Sequence, residues 1–131
     1  MASTFLNKPS PENIPTLLLY SFTEKELAKF RFLLKGFPGI RLISVPESAY
    51  QLPIKQLLEG TAPSGLPHNS FPRHVMVLAH IPDPLMHLLI SICKQATSEK
   101  VLKAMLTETN QNWSSELLYQ NLLEEEAQLG G

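Results

Sequence analysis

Four histidines, one cysteine and a scatter of carboxylates are the groups in this chain that could move protons, hold a metal or attack an electrophile. His68 falls in a proline-rich stretch, His74 opens an apolar run, His80 closes it, and His87 lies on the next helical pattern. No two of them share a helical face at ligand spacing, so no metal is expected. Cys93 has no partner for an internal disulfide and fits a reducing, cytoplasmic setting. The glycine pattern builds neither a dinucleotide loop nor a phosphate loop, and no nucleophile elbow or HExxH pair occurs, so no cofactor is expected.

The most distinctive polar stretch is Thr107-Glu108-Thr109-Asn110-Gln111-Asn112-Trp113. Short polar side chains of this kind bond to the local backbone and make turns, with Ser114 or Asn112 capping the helix that follows. The same stretch follows an apolar run, and ligands settle at the carboxyl ends of strands in open α/β sheets. His80, Asp83 and Glu47 follow other apolar runs and are expected at that same edge. The candidate binding residues are therefore Glu47, His80, Asp83, Thr107, Glu108, Thr109, Asn110 and Trp113.

The elements that must position these groups come from ordinary globular material. The chain has 131 residues, 44% hydrophobic and only 18% charged, with a net charge of −1. Such a balance gives no electrostatic reason to expect nucleic acid or an anionic membrane as partner. No run approaches the eighteen or so apolar residues of a membrane span.

The run Thr16-Leu-Leu-Leu-Tyr-Ser21 reads as a buried strand. Thr23 and Glu26 then form a capping box, Phe22 and Leu27 a hydrophobic staple, and Leu27, Phe30, Leu33 and Leu34 one helical stripe. Gly36, Pro38 and Gly39 end that helix, Ile40–Val45 follows as a strand, and Pro53–Glu59 as a short helix. A second series repeats this order: a strand over His74–His80, a helix from Pro84 to about Ala96 with Asp83 as N-cap, a strand over Val101–Leu106, and a helix from Ser114 to about Gln128. A shift of 59 residues places Leu18 on Val77, Leu27 on Met86 and Leu34 on Cys93. The expectation is α/β: two βαβα repeats, 16–59 and 74–128, sharing one four-stranded, mainly parallel sheet with helices packed on it. Residues 1–15 read as a flexible N-terminal segment, 60–73 as a linker, and 16–131 as one domain.

The second series also resembles a known bacterial family, domain-of-unknown-function family 3783. The resemblance is carried by Leu102-Lys-Ala-Met-Leu-Thr-Glu-Thr-Asn-Gln-Asn-Trp113 and by Glu116-Leu-Leu-Tyr-Gln-Asn-Leu-Leu-Glu-Glu-Glu126. Family members look like "LKAVLTPTN, two residues, W", preceded by a strand that ends in "F-S-G-F". Glu108 stands where proline is common, and His80 where glycine is usual. The resemblance spans about 74–126, implies a bacterial source, and brings no activity with it.

The functional expectation is a non-catalytic binding or interaction module. The alternative is a sensor of a small molecule, metabolite or nucleotide, at the carboxyl edge of the sheet. An acid–base enzyme using His80 with Glu47, Asp83 or Glu108 ranks behind both. The helix from Leu85 to Cys93 is apolar nearly all round, so Leu85, Met86, Leu89, Ile90 and Cys93 are expected to form a homodimer interface. Any other protein or small-molecule partner is unidentified. Glu124-Glu-Glu126, at the end of the last helix, reads as a solvated face.

Overall fold

The computed structural model describes residues 14–60 and 69–129. Their element order is β1 (Thr16–Tyr20), α1 (Glu24–Leu33), β2 (Arg41–Ser44), α2 (Ile54–Leu58), β3 (His74–Ala79), α3 (Asp83–Ala96), β4 (Val101–Met105) and α4 (Ser115–Gln128). Short 3-10 turns cover Leu34–Gly36, Glu47–Ala49 and Asn110–Asn112.

The four strands form one sheet in the order β2-β1-β3-β4. The outer pairs, β1 with β2 and β3 with β4, are parallel, while the central pair β1–β3 is antiparallel. The sheet is thus mostly parallel but mixed. Strand direction could not be read from the sequence because β1 and β3 are buried on both faces. Runs of Leu, Val and Met of this kind carry no alternation that would mark their neighbours.

Helices cover both faces. Leu17, Leu19, Met76, Leu78 and Val101 point to one face and pack against α1 and α3 through Leu27, Phe30, Leu89, Ile92 and Cys93. Leu18, Tyr20, Val75, Val77 and Leu102 point to the other, against Ile54, Leu57 and Leu58 of α2 and Leu118, Tyr119 and Leu122 of α4. No described helix is long and apolar enough to cross a membrane.

Side-chain caps explain two of the four described helix starts. Thr23 accepts the amide of Glu26 while Glu26 accepts the amide of Thr23, the reciprocal box read from the sequence. Ser114, the alternative to Asn112, caps α4 by accepting the amide of Leu117. At α3 the reading needs correction: Pro82 occupies the N-cap, and Asp83 is the first helical residue with no capping bond. Its carboxylate still lies in the first turn, where the helix dipole favours a negative charge. At the far end of α2, the Arg41 guanidinium donates to the Leu58 carbonyl (2.8 Å) and to Thr16 Oγ1 (3.2 Å), tying a helix C-terminus to the sheet.

Of the expected linker 60–73, residues 61–68 lie outside the described residues. Phe71, by contrast, is buried, its ring stacked between Tyr50 (centroids 4.0 Å apart) and Tyr119 (4.1 Å). Of the expected N-terminal segment 1–15, residues 1–13 also lie outside the described residues. The Pro15 carbonyl accepts the amide of Arg41 at 2.8 Å.

Candidate functional site

The antiparallel joint decides which polar groups can meet. Thr16 faces Ala79 across it and Tyr20 faces Val75, so β1 and β2 end at one end of the sheet, β3 and β4 at the other. Glu47 follows β2, whereas His80, Asp83 and Thr107–Trp113 follow β3 and β4. The sheet is five residues deep here, so roughly 15 Å of strand separates the two groups. The expected single edge is therefore two edges, and a His80–Glu47 acid–base pair is not formed.

At the β3/β4 end, the Thr107–Trp113 stretch closes on itself. The Asn110 side chain accepts the Thr107 amide (2.8 Å) and donates to the Met105 carbonyl (3.0 Å). Its own amide donates to Thr107 Oγ1 (3.0 Å), a reciprocal lock like a capping box. Asn110 is only 9% exposed, whereas Thr107, Glu108 and Thr109 point to solvent. The half-buried Trp113 packs on the core beneath α2 and α4, and its carbonyl accepts the Ile54 amide at 2.9 Å. His80 is exposed and sits in the left-handed region with φ 58°. Glycine is at ease in that conformation, which gives a backbone reason for glycine there in sequences that resemble this one.

At the β1/β2 end the chain leaves a hollow of about 480 Å³. Its walls come from the turn after β1 (Ser21, Phe22), the turn after β2 (Ser44, Val45, Glu47), Tyr50, and Ser70–Phe71 at the entry to β3. Ser21 also adopts a left-handed φ, 69°, and its hydroxyl donates to the Phe71 carbonyl at 2.7 Å. The Glu47 carboxylate accepts the Ser70 hydroxyl, and that bond lowers its pKa below the usual carboxylate range. Burial raises the Tyr50 hydroxyl above its ordinary value despite bonds to the Ser21 side chain and the Phe71 backbone. This end combines hydroxyls, a carboxylate and aromatic walls in one concavity. Of the residues read from the sequence as candidates, Glu47 alone lines it.

Sequence reasoning also missed a cluster around Glu26. Besides the Thr23 amide, its carboxylate accepts from Thr97 Oγ1 (2.5 Å) and pairs with His74 Nε2 (2.9 Å). Burial alone would push the Glu26 carboxyl up, but these bonds outweigh it and hold the pKa at about 2. The partners are 48 and 71 residues away along the chain, and only the capping box announced any of this. Glu126 forms a second knot: Arg73 binds it with two hydrogen bonds (2.8 and 3.0 Å) and Lys100 lies 3.3 Å away. Arg73 is the main reason its carboxyl falls to about 2. That part of the acidic run is thus tied at the surface to Arg73, the residue before β3. Among the described residues no group of three or more potential metal ligands comes together.

Part of the expected interface helix faces inward. Leu89 (0% exposed) and Cys93 (1%) face the sheet, where burial pushes the Cys93 thiol up to about 11. Leu85, Met86 and Ile90 are half-buried against the same core. A face made of all five residues is therefore not available at the surface.

Residues 74–129 match the family model described as Domain of unknown function (DUF3783), which bears out the resemblance read from the sequence. The match runs from the first residue of β3 through α4 and covers somewhat less than half of the chain. No curated protein and no solved structure matches the chain.

Proposed function

We propose that this chain is a non-catalytic binding module made of two duplicated βαβα halves, and that it holds a small polar molecule in the hollow at the carboxyl ends of β1 and β2. The observation that carries this reading is the position of the hollow. It lies at the carboxyl ends of two neighbouring parallel strands, the end of a strand pair at which open α/β sheets hold ligands. Its lining of Ser21, Ser44, Ser70, Tyr50 and Glu47 offers both donors and acceptors, and Phe22 and Phe71 offer apolar walls.

The non-catalytic part of the reading rests on where the perturbed carboxylates are used. Glu26 and Glu126 are held far below neutrality by donors from their own chain, so neither is poised to exchange a proton near pH 7. Duplication is supported by the central ladder. The shift of 59 residues that overlays the halves equates Leu18 with Val77, and those two residues face each other between β1 and β3. A local twofold axis through the sheet requires that coincidence. The same shift equates Ser21 with His80, the two non-glycine residues with positive φ among the described residues. A reducing bacterial cytoplasm is the setting this reading assumes, supported by the buried free thiol of Cys93 and the family resemblance.

A thermal-shift screen of nucleotides, amino acids and polyamines tests the proposal. A compound that stabilises the protein should lose its effect in Glu47→Ala and Ser44→Ala and keep it in His80→Ala. Stabilisation lost in His80→Ala alone would move the site to the other end of the sheet, and turnover of the compound would make the protein an enzyme.

A further inference from the structure

The strand β4 has no strand neighbour on its outer side among the described residues, and an open edge of this kind is a template for pairing with another chain. Parallel pairing sends the N–H and C=O of alternate residues to the same side. The amide of Leu106 donates to the Leu78 carbonyl of β3, so Leu102 and Ala104 also bond inward. Val101, Lys103 and Met105 then direct their backbone groups outward.

Two of those three outward carbonyls are occupied by side chains of the same chain. Lys103 Nζ donates to the Val101 carbonyl at 3.2 Å, and Asn110 Nδ2 donates to the Met105 carbonyl at 3.0 Å. The third outward carbonyl belongs to Lys103 itself, the middle residue of the strand. A second copy pairing antiparallel about a twofold axis at that residue would set two lysine ammonium groups against each other, and like charges directly opposite oppose pairing. The edge otherwise suits association, since Met105 is 54% exposed on an outer strand.

We infer that Lys103 and Asn110 are guards that close the β4 edge against strand pairing with a second copy of this chain. The Asn110 turn thereby has a role beyond its own loop, because its amide covers the last outward carbonyl. The opposite edge is protected differently, by brevity: β2 is four residues long and lies between Pro38 and Pro46.

The test uses the full chain in four forms: wild type, Lys103→Val, Lys103→Arg and Asn110→Asp. Asp at 110 keeps an acceptor for the Thr107 amide but loses the donor to Met105. Sedimentation velocity across a concentration series should show self-association at least tenfold tighter in Lys103→Val and Asn110→Asp than in wild type, with Lys103→Arg unchanged. Amide hydrogen exchange at positions 103 and 105 should slow as that association builds. Wild-type sedimentation in both Lys103→Val and Asn110→Asp would overturn the inference. So would association that leaves exchange at these two amides unchanged, because docking would then lie elsewhere.

Discussion

The two ends of the sheet are built from the same order of elements and finished in opposite ways. After β4, the Thr107–Asn110 turn folds its polar atoms inward, and Asn110 spends its amide on Thr107 and Met105. After β2, Glu47 reaches across to Ser70 on the approach to β3, and a hollow is left between them. The difference lies in what crosses each end. Phe71, arriving from the expected linker, wedges between Tyr50 and Tyr119 and forms one wall of the hollow at the first end. A polar stretch with turn chemistry can therefore be taken up by the fold, while a concavity remains where a distant segment packs over a strand end.

The largest expected effect tests that wedge. Phe71→Ala should lower unfolding free energy by about 3–5 kcal/mol, as aromatic truncations in packed cores do, and should also abolish ligand protection at the first end. Urea denaturation checks the first part. A loss under 1 kcal/mol would mean that the stack does not hold that wall in place. Next is Asn110→Ala, which leaves the Thr107 amide and Met105 carbonyl without that partner and should cost about 2 kcal/mol. Ligand binding at the first end should survive it, since no lining residue is touched.

A smaller effect compares the two left-handed residues. His80→Gly should stabilise by about 1 kcal/mol, because its exposed side chain gains nothing for the backbone strain it bears. Ser21→Gly relieves the same strain but loses its bonds to Phe71 and Tyr50, together worth about 2 kcal/mol, and should not stabilise. Equal stabilisation at both positions would erase the distinction between the ends.

The last effect is acid sensitivity. The folded pKa of Glu26 is about 2 against an ordinary 4.5, so its contribution is complete above pH 4.5 and is lost as pH falls towards 2. Glu26→Gln should flatten that acid limb. Glu126→Gln should flatten it less, and in molar salt hardly at all, because the Arg73 pair sits at the surface.

Much of the architecture was legible in the residues. The Thr23–Glu26 box, the Phe22–Leu27 staple and the apolar runs announced the helix–strand order because each is local chemistry. Asn110 was readable as a turn residue for the same reason. The direction of β3 against β1 was not, because Leu17–Leu19 and Val75–Leu78 are apolar on both faces and say nothing about register. That gap misplaced Glu47 beside His80. Phe71 was hidden by the prolines around it, and the Glu26–His74–Thr97 cluster by its separation along the chain.

The claim that the open end is the binding end is tested most directly by mapping amide chemical shifts of ¹⁵N-labelled protein during titration with the same nucleotide, amino-acid and polyamine pools. The account predicts shifts grouped at Ser21, Phe22, Ser44, Val45, Glu47, Tyr50 and Phe71, and their loss in Glu47→Ala. Shifts grouped instead at His80–Asp83 and Thr107–Asn110, or no shift with any pool, would contradict it.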